Sequence, residues 1–186
     1  MRIVAGTLRG RPLATPRDER IRPTSDRVRE SVFNILSHGA ASLHFEGARV
    51  VDLFAGTGAL GLEALSRGAA FALFVEEDPQ ARALIRTNVE AFGLTGTTKI
   101  FRRDATGLGP AAQMGHYDLA FLDPPYDKGL AERALTSLAA GGWLKPGAIA
   151  VVEERVDVAL AWPPAFTLLD ERTYGDTKVS FARYLP

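Results

Sequence analysis

The chain has 186 residues, of which 46% are hydrophobic and 24% are charged, a composition typical of a soluble globular domain with a sizeable core. It contains no cysteine, which excludes disulfides and thiolate metal sites, and its histidines at positions 38, 44 and 116 lack the spacing of metal ligands. No apolar run approaches the length of a membrane span, and the first 17 residues lack the continuous apolar segment of a secretory signal. We therefore expect a cytoplasmic protein that binds neither a metal nor a membrane.

The formal net charge of zero conceals a basic N-terminus. Residues 1–30 contain eight arginines and four acidic residues, whereas the other residues carry 14 basic and 18 acidic groups. Guanidinium groups match the geometry of phosphates, which a lysine ammonium meets only as a point charge. We expect this segment to contact nucleic acid, although a solvated surface arm would have the same composition.

The first predicted element is a short hairpin over residues 2–14, and a polar, proline-bounded loop over 16–23 follows it. The next segment predicts a helix over 25–38, which Thr24 or Ser25 can cap and Gly39 ends. One face of this helix carries an apolar stripe formed by Val28, Val32, Phe33, Ile35 and Leu36. We therefore divide the chain into a basic hairpin and loop arm, 1–24, and a larger domain, 25–186.

From residue 48 onwards, buried strands alternate with helices. The predicted strands are 48–54, 70–76, 99–104, 117–123 and 148–154, and the helices between them begin near Ala59, Pro79 and Leu130. Residues 166–175 and 177–185 predict two further strands in an antiparallel pair at one edge. This order predicts a Rossmann-like, doubly wound, mostly parallel seven-stranded α/β sheet with ligands beyond the carboxyl ends of its strands.

A glycine-rich loop follows the first of these strands. Gly56, Gly58 and Gly61 match the pattern G-x-G-x-x-G, with a strand before it and a helix after it. Glu76 ends the next strand, 20 residues after Gly56, where a carboxylate can accept both hydroxyls of a ribose. By itself this pattern fits a nicotinamide dinucleotide as well as any other adenosine cofactor.

Acidic residues at the strand ends separate these cofactors. Asp52 stands just before the glycine loop, with Phe54 and Ala55 between them, and its carboxylate would attract a cationic amino group and repel a pyrophosphate. Asp104 and Ala105 follow the third strand, where the carboxylate can accept from an adenine amino group. Together with Glu76 and Asp123, these acids predict a pocket for a cationic adenosine cofactor.

The fourth strand ends in Asp123, Pro124, Pro125 and Tyr126. The simplest explanation is that two prolines stop a strand, because proline donates no hydrogen bond to the ladder. The alternative is that they hold a carboxylate, a free carbonyl and an aromatic ring rigidly around a substrate.

The segments "DLFAGTG", "FVEED", "RRDA" and "DPPY" together resemble the seven-stranded S-adenosylmethionine-dependent methyltransferases that act on amino groups of bases. The segments "MRIVAGTLRGRPL", "RPTSDRVRESVFNIL" and "YGDTKVSFARY" are similar to the bacterial 16S rRNA guanine-N2 methyltransferase family, whose members modify guanine 966 of the small-subunit rRNA. This resemblance covers the whole chain. It implies S-adenosylmethionine as the cofactor and the rRNA of the small ribosomal subunit as the partner.

The chemistry of the proline motif agrees with this resemblance. An aromatic amino group is a poor nucleophile, because its lone pair is delocalised into the ring. Asp123 and the carbonyl of Pro124 can accept its two hydrogens and turn the lone pair towards the methyl donor, while Pro125 helps to fix that carbonyl. Tyr126 can stack on a base that has left its helix.

The resemblance also gives the basic N-terminus a role. We expect Arg9, Arg11, Arg22 and Arg27 to contact RNA phosphates. Arg29 and Asn34 are expected to face the cofactor or the RNA, although a core-facing or capping role suits Asn34 equally well.

Three other functions remain open at this point. A DNA adenine-N6 methyltransferase shares the amino-group motif, but it usually needs a target-recognition region, for which no insertion here is long enough. A nicotinamide-dependent oxidoreductase explains the glycines and Glu76 but not the proline motif or the basic arm. A non-catalytic RNA-binding protein with a vestigial cofactor fold is the third, and intact Asp123 and Tyr126 argue against it.

Overall fold

Seven strands and four helices are formed by the residues that the computed structural model describes, which are 1–17, 24–126 and 129–186. The helices are α1 (Asp26–His38), α2 (Ala59–Ser66), α3 (Pro79–Ala91) and α4 (Leu130–Ala140). The strands are β1 (Arg49–Leu53), β2 (Phe71–Val75), β3 (Thr98–Phe101), β4 (Tyr117–Leu122), β5 (Leu144–Arg155), β6 (Phe166–Tyr174) and β7 (Thr177–Tyr184).

The strands form one sheet in the order β3-β2-β1-β4-β5-β7-β6. The first five are parallel, whereas β7 pairs antiparallel with both β5 and β6. The predicted fold class, a mostly parallel seven-stranded sheet with an antiparallel C-terminal pair, is therefore confirmed.

Two strand boundaries differ from the prediction by more than one residue. Strand β3 ends at Phe101, and not at Asp104, because its neighbour β2 ends at Val75 and offers nothing further to pair with. Strand β5 begins at Leu144, four residues early, because Leu144 pairs with Tyr117 before a shift in register. The extra residues include Pro146 and Gly147, which are uncommon inside strands, so the sequence does not predict this part of β5.

The helices begin where the sequence provides caps. The Ser25 hydroxyl accepts from the backbone N–H of Val28 at 3.2 Å, so Ser25 caps α1 and the hydroxyl of Thr24 is left for another role. Helix α3 is capped by the carboxylate of Asp78, which accepts from the N–H of Ala81 at 2.8 Å, and Pro79 occupies its first turn. The caps place the start of α1 and of α3 close to the strand ends.

Helices cover both faces of the sheet, as alternating strands and helices require. On one face, α1 packs on the middle strands through Val32, Phe33 and Leu36, and α2 and α3 pack beside it. On the other face, α4 packs through Leu135 and Leu138, together with the irregular segment that contains Leu108. The sheet therefore lies between two helical layers, which leaves its carboxyl edge for a site.

The basic N-terminal segment is docked on this domain. A single antiparallel bridge joins Arg2 to Pro12, so the predicted hairpin is present but short. Ile3 and Leu13 are buried in a cluster with residues of α2 and α3. The hydroxyl of Ser66 donates to the carbonyl of Ala5 at 2.6 Å. These contacts make residues 1–17 part of the packed structure.

Arg29 belongs to this docking, and the expectation that it faces cofactor or RNA is wrong. Its side chain is fully buried, and its Nε donates to Glu63 Oε1 at 3.2 Å. Its Nη2 donates to Asp26 Oδ1 at 3.0 Å and to the carbonyl of Arg2. A buried guanidinium needs such partners. Glu63 lies on α2, whose other residues are mostly apolar, so the sequence did not indicate it as a partner of Arg29. Asn34 is exposed on α1 and neither caps nor packs in the core.

The docking of the arm depends on a close approach at Gly6. A Cβ at Gly6 would lie 1.9 Å from the carbonyl oxygen of Ser66, whereas a Cβ at Gly10 would meet no atom within 4 Å. Both glycines have nearly the same left-handed backbone, with φ of +84° and +83°. Alanine at either position therefore has the same backbone strain, and only Gly6→Ala adds a clash with the backbone of α2.

We expect Gly6→Ala to lower the free energy of unfolding by about 1–3 kcal/mol more than Gly10→Ala, the cost typical of overpacking. In a chain of this size that difference corresponds to a melting temperature roughly 2–10 °C lower. Thermal unfolding of the two variants, side by side, measures it. Equal melting temperatures would show that the arm does not need this contact.

Candidate active site

A cavity of about 1090 Å³ opens at the carboxyl edge of the sheet. It is lined by the predicted residues Asp52, Phe54, Ala55, Gly56, Glu76, Asp104, Ala105, Asp123, Pro124, Pro125 and Tyr126. Asp52 of β1 and the acids that follow β2, β3 and β4 therefore share one space. Gly58 is the one predicted cofactor residue outside this lining, and its N–H donates to the carbonyl of Ala55 within the loop.

Glu76 holds the glycine loop in place. Its Oε2 accepts from the N–H of Gly56 at 2.9 Å, and its Oε1 accepts from the N–H of Asp78 at 3.0 Å. Each carboxylate oxygen has a second lone pair, so Glu76 can bind the loop and a ligand hydroxyl together. Phe54 has a φ of 55°, a left-handed conformation that a bulky side chain rarely adopts and that is found at binding loops.

Asp52 fixes the start of α2. Its Oδ2 accepts from the N–H of Gly61 at 3.0 Å, and it is 1% exposed. A Cβ at Gly61 would lie 2.5 Å from Cε1 of Phe74, so the third glycine lets α2 approach the sheet. Burial raises the pKa of Asp52 well above its ordinary value, the Gly61 hydrogen bond opposes the rise, and the charge of Glu76 adds to it. The sequence did not predict this structural role.

Asp104 is an exposed acceptor at the rim. Its Oδ1 accepts from the N–H of Thr106 at 2.8 Å and from its hydroxyl at 2.7 Å. These two bonds, the backbone one first, lower the pKa of Asp104 below its ordinary value. Asp104 is therefore ionised at neutral pH and held in a fixed orientation beside Ala105, which is buried.

Asp123 has neighbours that the sequence analysis missed. Leu122 of β4 is in register with Val152 of β5, so the next residues, Asp123 and Glu153, lie side by side at the strand ends. The hydroxyl of Thr24 lies 2.9 Å from Glu153 Oε2 and 3.3 Å from Asp123 Oδ2. The available signal for Glu153 was an acidic residue near the end of an otherwise apolar strand, and nothing in the sequence pointed to Thr24.

The environment of Asp123 disfavours its charge. Burial raises the pKa of Asp123 well above its ordinary value, and the charges of Glu153, Asp52 and Glu154 raise it further. The hydrogen bond from Thr24 acts in the opposite direction. A carboxyl that is protonated more readily than usual thus stands where the motif predicts the substrate.

Three of the predicted RNA contacts, Arg9, Arg11 and Arg27, are not among the residues that line the cavity. Arg9 is exposed, and Arg27 is exposed in the first turn of α1, whose neighbours Thr24, Ser25 and Val28 line the cavity. Arg11 donates from Nη2 to the carbonyl of Ala91 at 2.8 Å, and its Cζ lies 5.0 Å from the centre of the Phe92 ring. Arg22 lies outside the described residues.

Within residues 1–17, 24–126 and 129–186, no group of three or more histidine, cysteine, aspartate or glutamate side chains could hold a metal ion. No helix in the same part of the chain is long and apolar enough to cross a membrane.

Comparisons with known proteins agree with this geometry. The family model described as "Conserved hypothetical protein 95" matches residues 1–183. Ribosomal RNA small subunit methyltransferase D of Haemophilus influenzae is 37% identical over 177 residues, which cover 94% of this chain and 89% of that protein. The protein of the same name from Escherichia coli K12 is 38% identical over 177 residues, which cover 94% and 85%.

Solved structures of candidate methyltransferases have the same fold as this chain. A candidate methyltransferase of Escherichia coli superposes with a TM-score of 0.85 at 31% identity, and the match covers 100% of this chain and 98% of that one. A candidate methylase of Haemophilus influenzae superposes with a TM-score of 0.78 at 33% identity over the same shares of the two chains.

The raised pKa of Asp123 predicts how stability depends on pH. Because its folded pKa lies above the unfolded value, the folded state binds more protons between the two, and the free energy of unfolding falls as pH rises through this window. Asp123→Asn removes this penalty. We expect the melting temperature of the unliganded variant to exceed that of the wild type by about 2 °C or more at neutral pH, and the gap to close in acid.

Thermal unfolding between about pH 4 and pH 8 measures this difference. Asp157→Asn is the matched control, because Asp157 is exposed and its bond to Arg155 lowers its pKa, so this variant should melt no higher than the wild type at neutral pH. If Asp123→Asn melts no higher than the wild type at neutral pH, Asp123 does not destabilise the fold.

Proposed function

Because the chain belongs to the family of ribosomal RNA small subunit methyltransferase D, we propose that it transfers a methyl group from S-adenosylmethionine to the exocyclic N2 amino group of a guanine in 16S rRNA. The proposal rests on one observation. The glycine loop, the strand-end acids and the motif from Asp123 to Tyr126 line the same cavity. The enzyme would act on rRNA of the small subunit and, like its substrate, would be cytoplasmic.

The cavity suits a cationic adenosine cofactor. S-adenosylmethionine, when bound, supplies an electrophilic methyl group on a sulfonium. Glu76 would accept from the ribose hydroxyls, Asp104 from the adenine amino group, and Asp52 would attract the amino group of the methionine end. Phe54, Ala55, Gly56 and Ala105 would form the apolar and backbone walls, and Gly58 would keep the loop turned towards them.

The same groups argue against a nicotinamide dinucleotide. Its pyrophosphate would need the free N–H groups of the glycine loop, but the N–H of Gly56 already donates to Glu76. Glu77 and Asp78 also line the cavity, and their charges would repel phosphates.

The motif after β4 would position the target amine. Asp123 and the carbonyl of Pro124 would accept its two hydrogens, so that the lone pair points at the methyl group. Pro125 holds this carbonyl in place, and Tyr126 would stack on the extracted base. Positioning of this kind can supply roughly 7–11 kcal/mol of the barrier reduction.

The basic residues would bind the RNA backbone around the cavity. Arg27 stands at the rim, and Arg9 lies on the docked arm, both exposed. Arg11 and Arg22 complete the proposed set, although Arg11 would have to keep or exchange its contacts with Ala91 and Phe92. Phosphate contacts position the RNA and leave the choice of base to the cavity.

The decisive test uses methyl-labelled S-adenosylmethionine with naked 16S rRNA and with small ribosomal subunits. We expect mass spectrometry of the nucleosides to show N2-methylguanosine. Asp123→Ala should lower the rate by roughly a hundredfold or more, with cofactor affinity in calorimetry nearly unchanged, because Asp123 acts on the amine. Asp123→Asn should keep part of the activity, since an amide oxygen still accepts a hydrogen bond.

The rival functions predict other results in the methyl-transfer assay and in cofactor binding. Methyladenine from DNA, with no N2-methylguanine from rRNA, would identify a DNA adenine methyltransferase. Binding of NADH without binding of S-adenosylmethionine would identify an oxidoreductase. Full activity of both Asp123 variants would refute the positioning role of the motif.

A second prediction concerns the basic residues. Replacing Arg9 and Arg27 with Ala should weaken RNA binding and flatten its salt dependence, with the slope of log K against log salt reduced by roughly 0.7–0.9 for each lost phosphate contact. Filter binding at several salt concentrations measures both effects. Lys145→Ala is the control, because Lys145 pairs with Asp118 at the opposite edge of the sheet. An unchanged slope in the Arg variants would exclude them from the RNA interface.

A further inference from the structure

The hydroxyl of Thr24 stands between two carboxylates. Its Oγ1 lies 2.9 Å from Glu153 Oε2 and 3.3 Å from Asp123 Oδ2. A hydroxyl has one proton to donate and two lone pairs with which to accept. The shorter distance identifies Glu153 as the acceptor of the Thr24 proton. The longer contact, to Asp123 Oδ2, is a second position for the same proton, and this hydrogen bond from Thr24 lowers the pKa of Asp123.

The backbone holds these three groups from separate elements. Asp123 and Glu153 follow the last residue pair of β4 and β5, and they lie two residues after Phe121 and Val151, so both side chains project towards the face that α1 covers. Thr24 stands just before α1, and because Ser25 caps that helix, the Thr24 hydroxyl is not needed there. The three groups are therefore fixed before any substrate enters.

We propose that Thr24 and Glu153 are positioning residues for methyl transfer, and that they form with Asp123 a hydroxyl-bridged carboxylate pair which receives the proton lost by the target amine. This inference rests on the proposed function, and it extends the reaction to residues outside the proline motif. Glu153 acts through Thr24 and Asp123, without contact with the substrate.

The proton lost by the amine would leave through Thr24 and Glu153. As the amine nitrogen bonds to the methyl carbon, the bond from that carbon to sulfur would break and its electron pair would stay on sulfur, leaving a neutral thioether and a positive charge on the nitrogen. Asp123 Oδ2 then takes one proton from this nitrogen, and the N–H electron pair returns to nitrogen. The new acid proton passes from Oδ2 to Thr24 Oγ1 as the Thr24 proton passes to Glu153 Oε2. The products are a neutral methylamine, an Asp123 carboxylate, an intact hydroxyl and a protonated Glu153, which loses its proton to solvent.

The surroundings explain why a second carboxylate is useful. Burial raises the pKa of Asp123, and the charges of Glu153 and Glu154 on β5 and of Asp52 on β1 raise it further, while the Thr24 hydroxyl lowers it. A carboxyl in this environment holds a proton and then cannot accept from an amine. Transfer through Thr24 restores the acceptor form of Asp123.

Two variants should move the pH profile in opposite directions. Glu153→Gln removes a charge that favours the protonated form, so the acid limb of the single-turnover rate should move to lower pH. Thr24→Val removes a hydrogen bond that favours the ionised form, so the limb should move to higher pH. Both changes should also slow the plateau rate by roughly tenfold or more. Glu153→Gln removes the final proton acceptor, and Thr24→Val removes the hydroxyl through which the proton passes.

Matched variants separate this role from a structural one. Thr24→Ser keeps the hydroxyl and should restore the wild-type limb and rate. Glu90→Gln removes an exposed acid of α3 and should leave the limb in place. If the acid limb of the rate profile stays at the wild-type pH in both Glu153→Gln and Thr24→Val, this inference is wrong. The proposed function would remain intact as long as the wild type methylates rRNA.

A second measurement does not depend on activity. Carbon-13 NMR of the Asp123 carboxyl reports its titration in the wild type and in the folded variants. We expect the midpoint to fall in Glu153→Gln and to rise in Thr24→Val. Unchanged midpoints would show that no bridged pair exists, whether or not the wild type acts on rRNA.

Discussion

The buried carboxylate of Glu63 on α2 is the contact on which the arrangement of the site depends. It is 0% exposed and accepts from four donors: the N–H groups of Val4 and Ala5 at 2.8 Å and 3.1 Å, Arg29 Nε at 3.2 Å and Arg67 Nε at 3.1 Å. A buried charge is tolerated when its lone pairs are satisfied in this way. Because the donors come from the arm, α1 and α2, one side chain fixes three segments relative to the sheet. Among the described residues, Arg29 Nη1 is the one buried side-chain nitrogen or oxygen atom without a hydrogen-bond partner.

The orientation of these segments determines the chemistry at the carboxyl edge. Helix α1 is anchored by Arg29, and its position brings Thr24 to the ends of β4 and β5. Helix α2 is anchored at Glu63 and, through Gly61, at Asp52, and its position brings the glycine loop beside the same edge. The parallel register then sets Asp123 next to Glu153 without any long-range loop. The site is thus assembled by the register of the sheet and by two anchored helices.

The sequence could predict most of the fold because its signals are local. Periodicity located the strands, glycines located the loop after β1, and acids at strand ends located the lining of the cavity. Contacts between segments distant in the chain leave no local signal. Arg29 looks like a surface residue in an amphipathic helix, because its partner Glu63 lies 34 residues later. Thr24 looks like a cap, and only the structure shows that Ser25 takes that role, whereas Thr24 reaches acids 99 and 129 residues away.

The docked arm gives the basic residues a fixed geometry. Ala14 donates from its N–H to Asn88 Oδ1 at 2.7 Å, and Asn88 Nδ2 donates to the carbonyl of Thr57 in the glycine loop at 3.1 Å. Asn88 is 2% exposed, so these bonds are shielded from water. A flexible arm would lose conformational entropy on binding a polyanion, whereas a docked arm has already done so during folding. Arg9 on the docked arm and Arg27 on α1 therefore belong to segments that are packed against the cavity's own domain, and under the proposed function the register of the bound RNA backbone would decide which base can enter.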